Sequence, residues 1–167
     1  MHEFFSQTFS NPYVWIVILT LAPFLELRAS IPYGILVAKE HYAAVVLTAV
    51  VVNILLGPVI YFLLERLLHV ALRLGPVRRL WDRVVVRVQK KVHPLVEKYG
   101  VLGLGLFIGV PLPGSGVYSG AIGGYLLGFT RKEFYVGTVI GVLIAAAAVT
   151  AVVLTGAGAF FIFLKQV

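Results

Sequence analysis

Residues 111–116, Pro-Leu-Pro-Gly-Ser-Gly, interrupt an apolar run from Val101 to Phe129 that carries no charged side chain. Pro111 and Pro113 remove two backbone donors, so a helix arriving from Val101 stops there. Gly114 frees the backbone, and Ser115 is a good N-cap for a new helix to about Phe129. In hydrocarbon an unpaired backbone survives only where protein or a water-filled cavity covers it. The break therefore predicts a site lined by Gly114, Ser115 and Gly116. A helix N-terminus there offers free N–H groups and a positive dipole end, which suit an anionic group. The competing account is a kinked spanning helix whose glycines serve packing alone.

A second apolar stretch, 12–38, is broken at its middle by Pro23-Phe24-Leu25-Glu26-Leu27-Arg28-Ala29-Ser30-Ile31-Pro32. As one helix it would be about 40 Å long, more than a bilayer core needs. Split at the centre, each arm is about 15–18 Å, half the core, which fits a re-entrant hairpin. The stretch 101–129 divides the same way. After each comes a charged turn (Lys39-Glu40-His41; Arg131-Lys132-Glu133) and then a full-length span, 42–64 and 134–154, the latter with apolar sequence for a continuation to Phe163. Composition fixes the setting: 60% hydrophobic residues, 13% charged ones and a mean hydropathy of +0.97 leave too much apolar surface for a water-soluble chain. The expectation is an all-α integral membrane protein of a single domain over 1–167. It has two inverted repeats, 12–65 and 101–163, each a re-entrant broken-helix hairpin followed by a transmembrane helix.

The repeats are joined by a basic linker, 66–100, with nine of the fourteen Lys and Arg residues. Leu80, Val84, Val88 and Val92 recur at helical spacing beside Arg79, Arg83, Arg87 and Lys91, so an amphipathic helix on a membrane surface is expected, anchored by Trp81. The positive-inside rule makes this linker cytoplasmic. With both breaks as hairpins, eleven Lys and Arg lie inside against two outside, Lys39 and Lys165; with both spanning, the split is ten to three. Hairpins are slightly preferred, and they put both termini outside a cell inner (plasma) membrane. The net charge of +7 then reads as topology and contact with anionic lipid headgroups rather than nucleic-acid binding. The amino end, 1–11, has no Lys or Arg and does not read as a signal peptide.

Gly116, Gly120, Gly124 and Gly128 form one small-residue stripe, and Gly137, Gly141 and Ala145 another. Such stripes let helices approach closely; packing within the monomer is the first account and a homodimer seam the second. The interior holds one carboxylate, Glu26, and one strong cation, Arg28. Two residues apart, they diverge on a regular helix but share a side of an unwound chain, and Pro23 and Pro32 bracket them. In one cavity, Arg28 grips an anion and Glu26 titrates for proton coupling; the alternative is a simple pair that pins the hairpin. Burial and the guanidinium act on the Glu26 proton in opposite senses, and the sequence leaves the balance open. Asn53, with Gly57 and Pro58, marks a softer polar interruption that lines the same cavity. Glu65 reads as interfacial.

Enzyme signatures are missing: no H-E-x-x-H, no G-x-S-x-G, no P-loop, and the aspartate, Asp82, falls in the basic linker. There is no cysteine, and the four histidines are scattered, so no metal or cofactor is expected beyond a proton or sodium gradient.

The stretches 26–34 and 111–116 resemble the two signature regions of the small multidrug export proteins, a family distantly similar to the DedA, or VTT-domain, membrane proteins. The likeness covers nearly the whole chain. It implies opposed re-entrant hairpins and either proton-coupled transport or movement of lipids such as undecaprenyl phosphate, with Glu26, Arg28, Pro32 and the 111–116 loop as its site. The second half carries no intramembrane acid or arginine of the kind DedA proteins have there. Three functions follow as expectations. The first is a transporter of an anionic amphipath, a lipid phosphate above all. The second is a drug/proton antiporter, and the third a scaffold without transport.

Overall fold

The computed structural model describes residues 11–71, 83, 86, 93, 96–110 and 114–165. Every regular element among them is helical. α1, Pro12–Leu21, starts with Asn11, whose side chain accepts from Tyr13 N–H at 2.9 Å, and with a proline at its first position, where a missing donor costs nothing. The chain turns at 22–25, with Phe24 and Glu26 in the left-handed region (φ 70° and 48°). α2, Glu26–Pro32, continues as a π-helical turn, Tyr33–Val37. Pro32 has no N–H to give the carbonyl four residues back, and the following bonds open to i→i+5, as in Ala38 N–H to Tyr33 O at 2.9 Å.

α1 and α2 form an antiparallel hairpin. The Tyr13 hydroxyl donates to Glu40 at 3.2 Å, Thr20 donates to Ser30 at 2.7 Å, and Gly34 lies against Ile16. α3, Tyr42–Ala71, runs on from this hairpin about two turns past the expected end at Leu64. A second hairpin joins α4, helical over 96–109, to α5, Val117–Leu126: Leu104 faces Gly124 and Ile108 faces Gly120. α6, Arg131–Lys165, begins a turn before the expected Phe134. Thr130 and Glu133 cap it reciprocally, the Thr130 N–H and hydroxyl donating to the carboxylate at 2.9 and 2.8 Å and Glu133 N–H returning to the hydroxyl at 3.3 Å. α3 and α6 lie antiparallel, with Gly57 against Thr138, Tyr61 stacked on Phe134 at 4.5 Å, and Glu65 paired with Arg131 at 2.7 Å.

Two helices, Tyr42–Arg66 and Arg131–Gly156, are long and apolar enough to cross a membrane, and the chain reads as a membrane protein. Large apolar side chains such as Leu47, Leu55 and Val152 point outward, as lipid contact requires, while Ile16, Leu27, Ile31, Leu104, Ile108 and Phe134 form the core. The amphipathic stripes of the linker and its Trp81 anchor lie outside the described residues, apart from Arg83, which is helical and exposed. The residues 1–10 and the prolines Pro111 and Pro113 lie outside them too.

Both glycine stripes are occupied inside the monomer, except at Gly128, where a Cβ would meet nothing within 4 Å. Gly120 receives Ile108, Gly137 receives Leu104, and a Cβ on Gly141 would stand 2.5 Å from Ile108 Cβ and 2.7 Å from Gly105 O. Because one of those neighbours is backbone, Gly141→Val must push α4 and α6 apart. We expect a loss of about 1–3 kcal/mol or more, read as a lower thermal midpoint in detergent. Gly156→Ala, where a Cβ meets nothing within 4 Å, should leave the midpoint unchanged or raise it slightly.

Candidate functional site at the meeting of the hairpin tips

The tips of the two hairpins meet, and the first supplies charges to the open helix ends of the second. α5 begins with unpaired N–H groups, and Glu26 accepts from Val117 N–H at 3.2 Å and from Tyr118 N–H at 3.4 Å. α4 ends with unpaired carbonyls, and Arg28 Nη2 donates to Ile108 O and Val110 O, both at 3.1 Å. Its other amino group donates to Ser115 O at 2.7 Å, and Nη2 also reaches the Ser115 hydroxyl at 3.1 Å. A carboxylate thus meets a helix N-terminus and a guanidinium a helix C-terminus, each at the dipole end of opposite sign. The pair itself is loose, 3.9 Å between Arg28 Nη1 and Glu26 Oε2.

The backbone makes this geometry. Regular helix would turn Glu26 and Arg28 apart; the left-handed Glu26 (φ 48°) rotates its carboxylate toward α5. A non-glycine residue held there stores strain of about 1–3 kcal/mol, which persists only when its surroundings hold it. Glu26 is 3% exposed and Ser115 6%. Gly116 lets the junction close: its φ is 129°, and a Cβ there would stand 2.7 Å from both Glu26 oxygens and 2.8 Å from Arg28 Nη1.

Ser115 does not take the capping role expected from its position. The N-cap of α5 is Gly116, without a side-chain cap, and the Ser115 hydroxyl donates back to Val110 O at 2.6 Å. Glu26 does the capping instead, from ninety residues away in sequence. Gly114, with φ 77°, stands where a Cβ would meet nothing within 4 Å, so it serves the turn. Asn53 is 1% exposed and lies beside Glu26, close enough to polarise the carboxylate, yet neither amide atom makes a hydrogen bond of good geometry. Pro23 sits exposed in the first turn, and Pro32 lies at the junction of α2 with its π-helical end.

An open cleft of about 310 Å³ runs between α2 and α6, lined by Arg28, Pro32, Ala148, Val149, Val152 and Val153. Asn53, Ser115, Gly114 and Gly116 do not line it. Sequence reasoning missed Tyr118, whose hydroxyl donates across the junction to Leu21 O, and the cleft wall on α6. Tyr118 carried a signal, a phenol two residues past a helix break in hydrocarbon; the valines and alanines of α6 carried none.

Neither a curated protein nor a solved structure matches the chain. One family model does, over residues 26–148, well over half the sequence, from the acid of the first tip through both hairpin ends and into α6. The chain belongs to that family, "Putative small multi-drug export protein".

Proposed function

We propose that this protein is a membrane transporter for amphipathic molecules with an anionic group, a lipid phosphate such as undecaprenyl phosphate above all. The cleft between α2 and α6 carries the reading: its walls are aliphatic, and Arg28 is the charged residue among those that line it. A cleft open to its side admits a headgroup while the hydrocarbon tail stays in lipid. Arg28 already donates to carbonyls, but these are neutral. An anion arriving from the cleft offers a charge-assisted, bidentate partner in their place.

The two hairpins are read as re-entrant, entering from opposite faces and meeting near the midplane, and the two hairpin-plus-helix units as an inverted repeat. The basic linker 66–100 then faces the cytoplasm of an inner (plasma) membrane, with both termini outside. Glu26, a buried acid beside the gripping cation, is the group that couples movement to a proton gradient.

A second reading follows from the family description: export of a cationic or neutral drug against protons, again through Glu26. Liposomes loaded with a labelled polyprenyl phosphate or a lipophilic cation, each with and without a pH gradient, test both. Wild type should move the phosphate, and Val149→Trp, which fills the cleft, should block it. Glu26→Gln keeps an oxygen for the Val117 and Tyr118 N–H groups, so the protein should fold while gradient-driven transport stops. Movement of the cation alone favours drug export. Movement of neither, with a folded protein, removes the carrier reading.

A further inference from the structure

On α3, Asn53, Gly57, Tyr61 and Glu65 recur every fourth residue and share one face. That face packs on α6. Thr138 fills the space beside Gly57, Tyr61 stacks on Phe134, and Glu65 pairs with Arg131. A polar line therefore runs through the seam from the Glu65–Arg131 pair, past Tyr61 and Thr138, to Asn53 and the Glu26 carboxylate beside it. A cavity of about 240 Å³, lined by Pro58, Tyr61, Phe62, Arg131 and Phe134, opens at the charged end. Deeper in the seam, the hydroxyl of Thr138 (0% exposed) makes no hydrogen bond, and the two amide atoms of Asn53 (1% exposed) make none of good geometry, the amide only approaching the Glu26 carboxylate. Polar atoms so poorly paired in an apolar interface are costly, and a packing role alone would be filled better by leucine and valine. Water is the partner small enough to reach them.

We propose that the α3–α6 seam is the path by which Glu26 exchanges its proton with the membrane face bearing Glu65 and Arg131, with Thr138 and Asn53 as hydrogen-bonding stations along it. This rests on Glu26 being the coupling acid. A hydrated proton enters at the cavity and is passed between water molecules held by the Thr138 hydroxyl and the Asn53 amide. It then binds a Glu26 oxygen, leaving water behind and a neutral acid whose O–H donates to Asn53 Oδ1; release runs the reverse way. The cleft is the poorer entrance: Arg28 lines it with only a loose partner in Glu26, 3.9 Å away, whereas the charge of Arg131 at the cavity is offset by Glu65 at 2.7 Å. Among the described residues, the charged and titratable groups facing Glu26 are Arg28 on its own helix and Tyr118 from α5; α3 presents the neutral Asn53.

The test uses the full chain, oriented in vesicles, with the carboxylic-acid infrared band of Glu26 identified by its loss in Glu26→Gln. A pH jump on the Arg131 face should raise the band. Asn53→Leu and Thr138→Val should each slow that rise about tenfold or more, the kinetic equivalent of one net hydrogen bond, and Thr138→Ser should restore it. The thermal midpoint of Thr138→Val should not fall, since it removes an orphaned hydroxyl. Should Asn53→Leu fail to fold, the Thr138→Val and Thr138→Ser pair decides. A band that rises equally fast in the variants, or only after a jump on the opposite face, overturns the path and leaves Glu26 as coupling acid. No Glu26 band at any pH at which the protein stays folded removes both.

Discussion

Arg28→Ala should lower stability by about 3–5 kcal/mol, the range for removing one partner of a buried ionic cluster. The loss comes from what stays behind. Ile108 O, Val110 O and Ser115 O each lose a charged donor, and Glu26 remains buried with two weak N–H contacts and the neutral Asn53 but no cation. Arg28→Lys keeps the charge but serves fewer of the acceptors, which lie on both sides of a planar fork, so its loss should be intermediate. In the double variant Glu26→Gln/Arg28→Ala the carboxylate is no longer stranded, and the combined loss should fall below the sum of the single ones. Thermal and denaturant unfolding in detergent read all three. Simple additivity would mean that the acid and the base act on separate helix ends without sensing each other. Ligand binding separates the two transport readings in the same variants. Polyprenyl phosphate should bind Arg28→Lys better than Arg28→Ala, and a lipophilic cation should bind Arg28→Ala at least as well as wild type.

The presence of two interruptions and two long helices was legible because each is local. A proline cannot donate, and 20 apolar residues in a row have few other uses in a chain of this composition. The chain between Pro23 and Pro32, expected to unwind, instead turns at 22–25 and is helical from Glu26. The capping of α5 was not legible. Ser115 stands where a local cap belongs, and local reasoning chose it. The structure instead satisfies those N–H groups with a carboxylate from the other hairpin, and no pattern within either segment announces a contact across ninety residues. The left-handed Glu26 escaped for the same reason, since its strain is held by α5 and not by its neighbours in sequence. The seam was half visible. Asn53 and Gly57 stood out as a polar interruption and Glu65 as interfacial, but they become one face only when α6 supplies Thr138, Phe134 and Arg131. The glycine stripes promised close packing and did not name the partner; Leu104 and Ile108 name it.

Gly116→Ala should be far more damaging than the same change at Gly114. Two effects combine. The backbone at φ 129° lies where an L-residue is strained, and the new Cβ would press on both Glu26 oxygens at 2.7 Å and on Arg28 Nη1 at 2.8 Å. The tips of these side chains can move, but both are already committed: moving the carboxylate uncaps α5, and moving the guanidinium uncaps α4. Strain and overpacking together should cost about 2–5 kcal/mol, with transport falling alongside stability. Gly114→Ala separates the two effects. Its φ of 77° carries the backbone strain, while its Cβ meets nothing within 4 Å, so its cost should stay near 1–2 kcal/mol. Pairing Gly116→Ala with Glu26→Ala removes the carboxylate the methyl strikes and should recover part of the loss relative to the sum of the two single variants. Equal losses at positions 114 and 116 would mean that the methyl is accommodated without disturbing Glu26 or Arg28. The contact between the hairpin tips would then be loose enough to open in the resting protein.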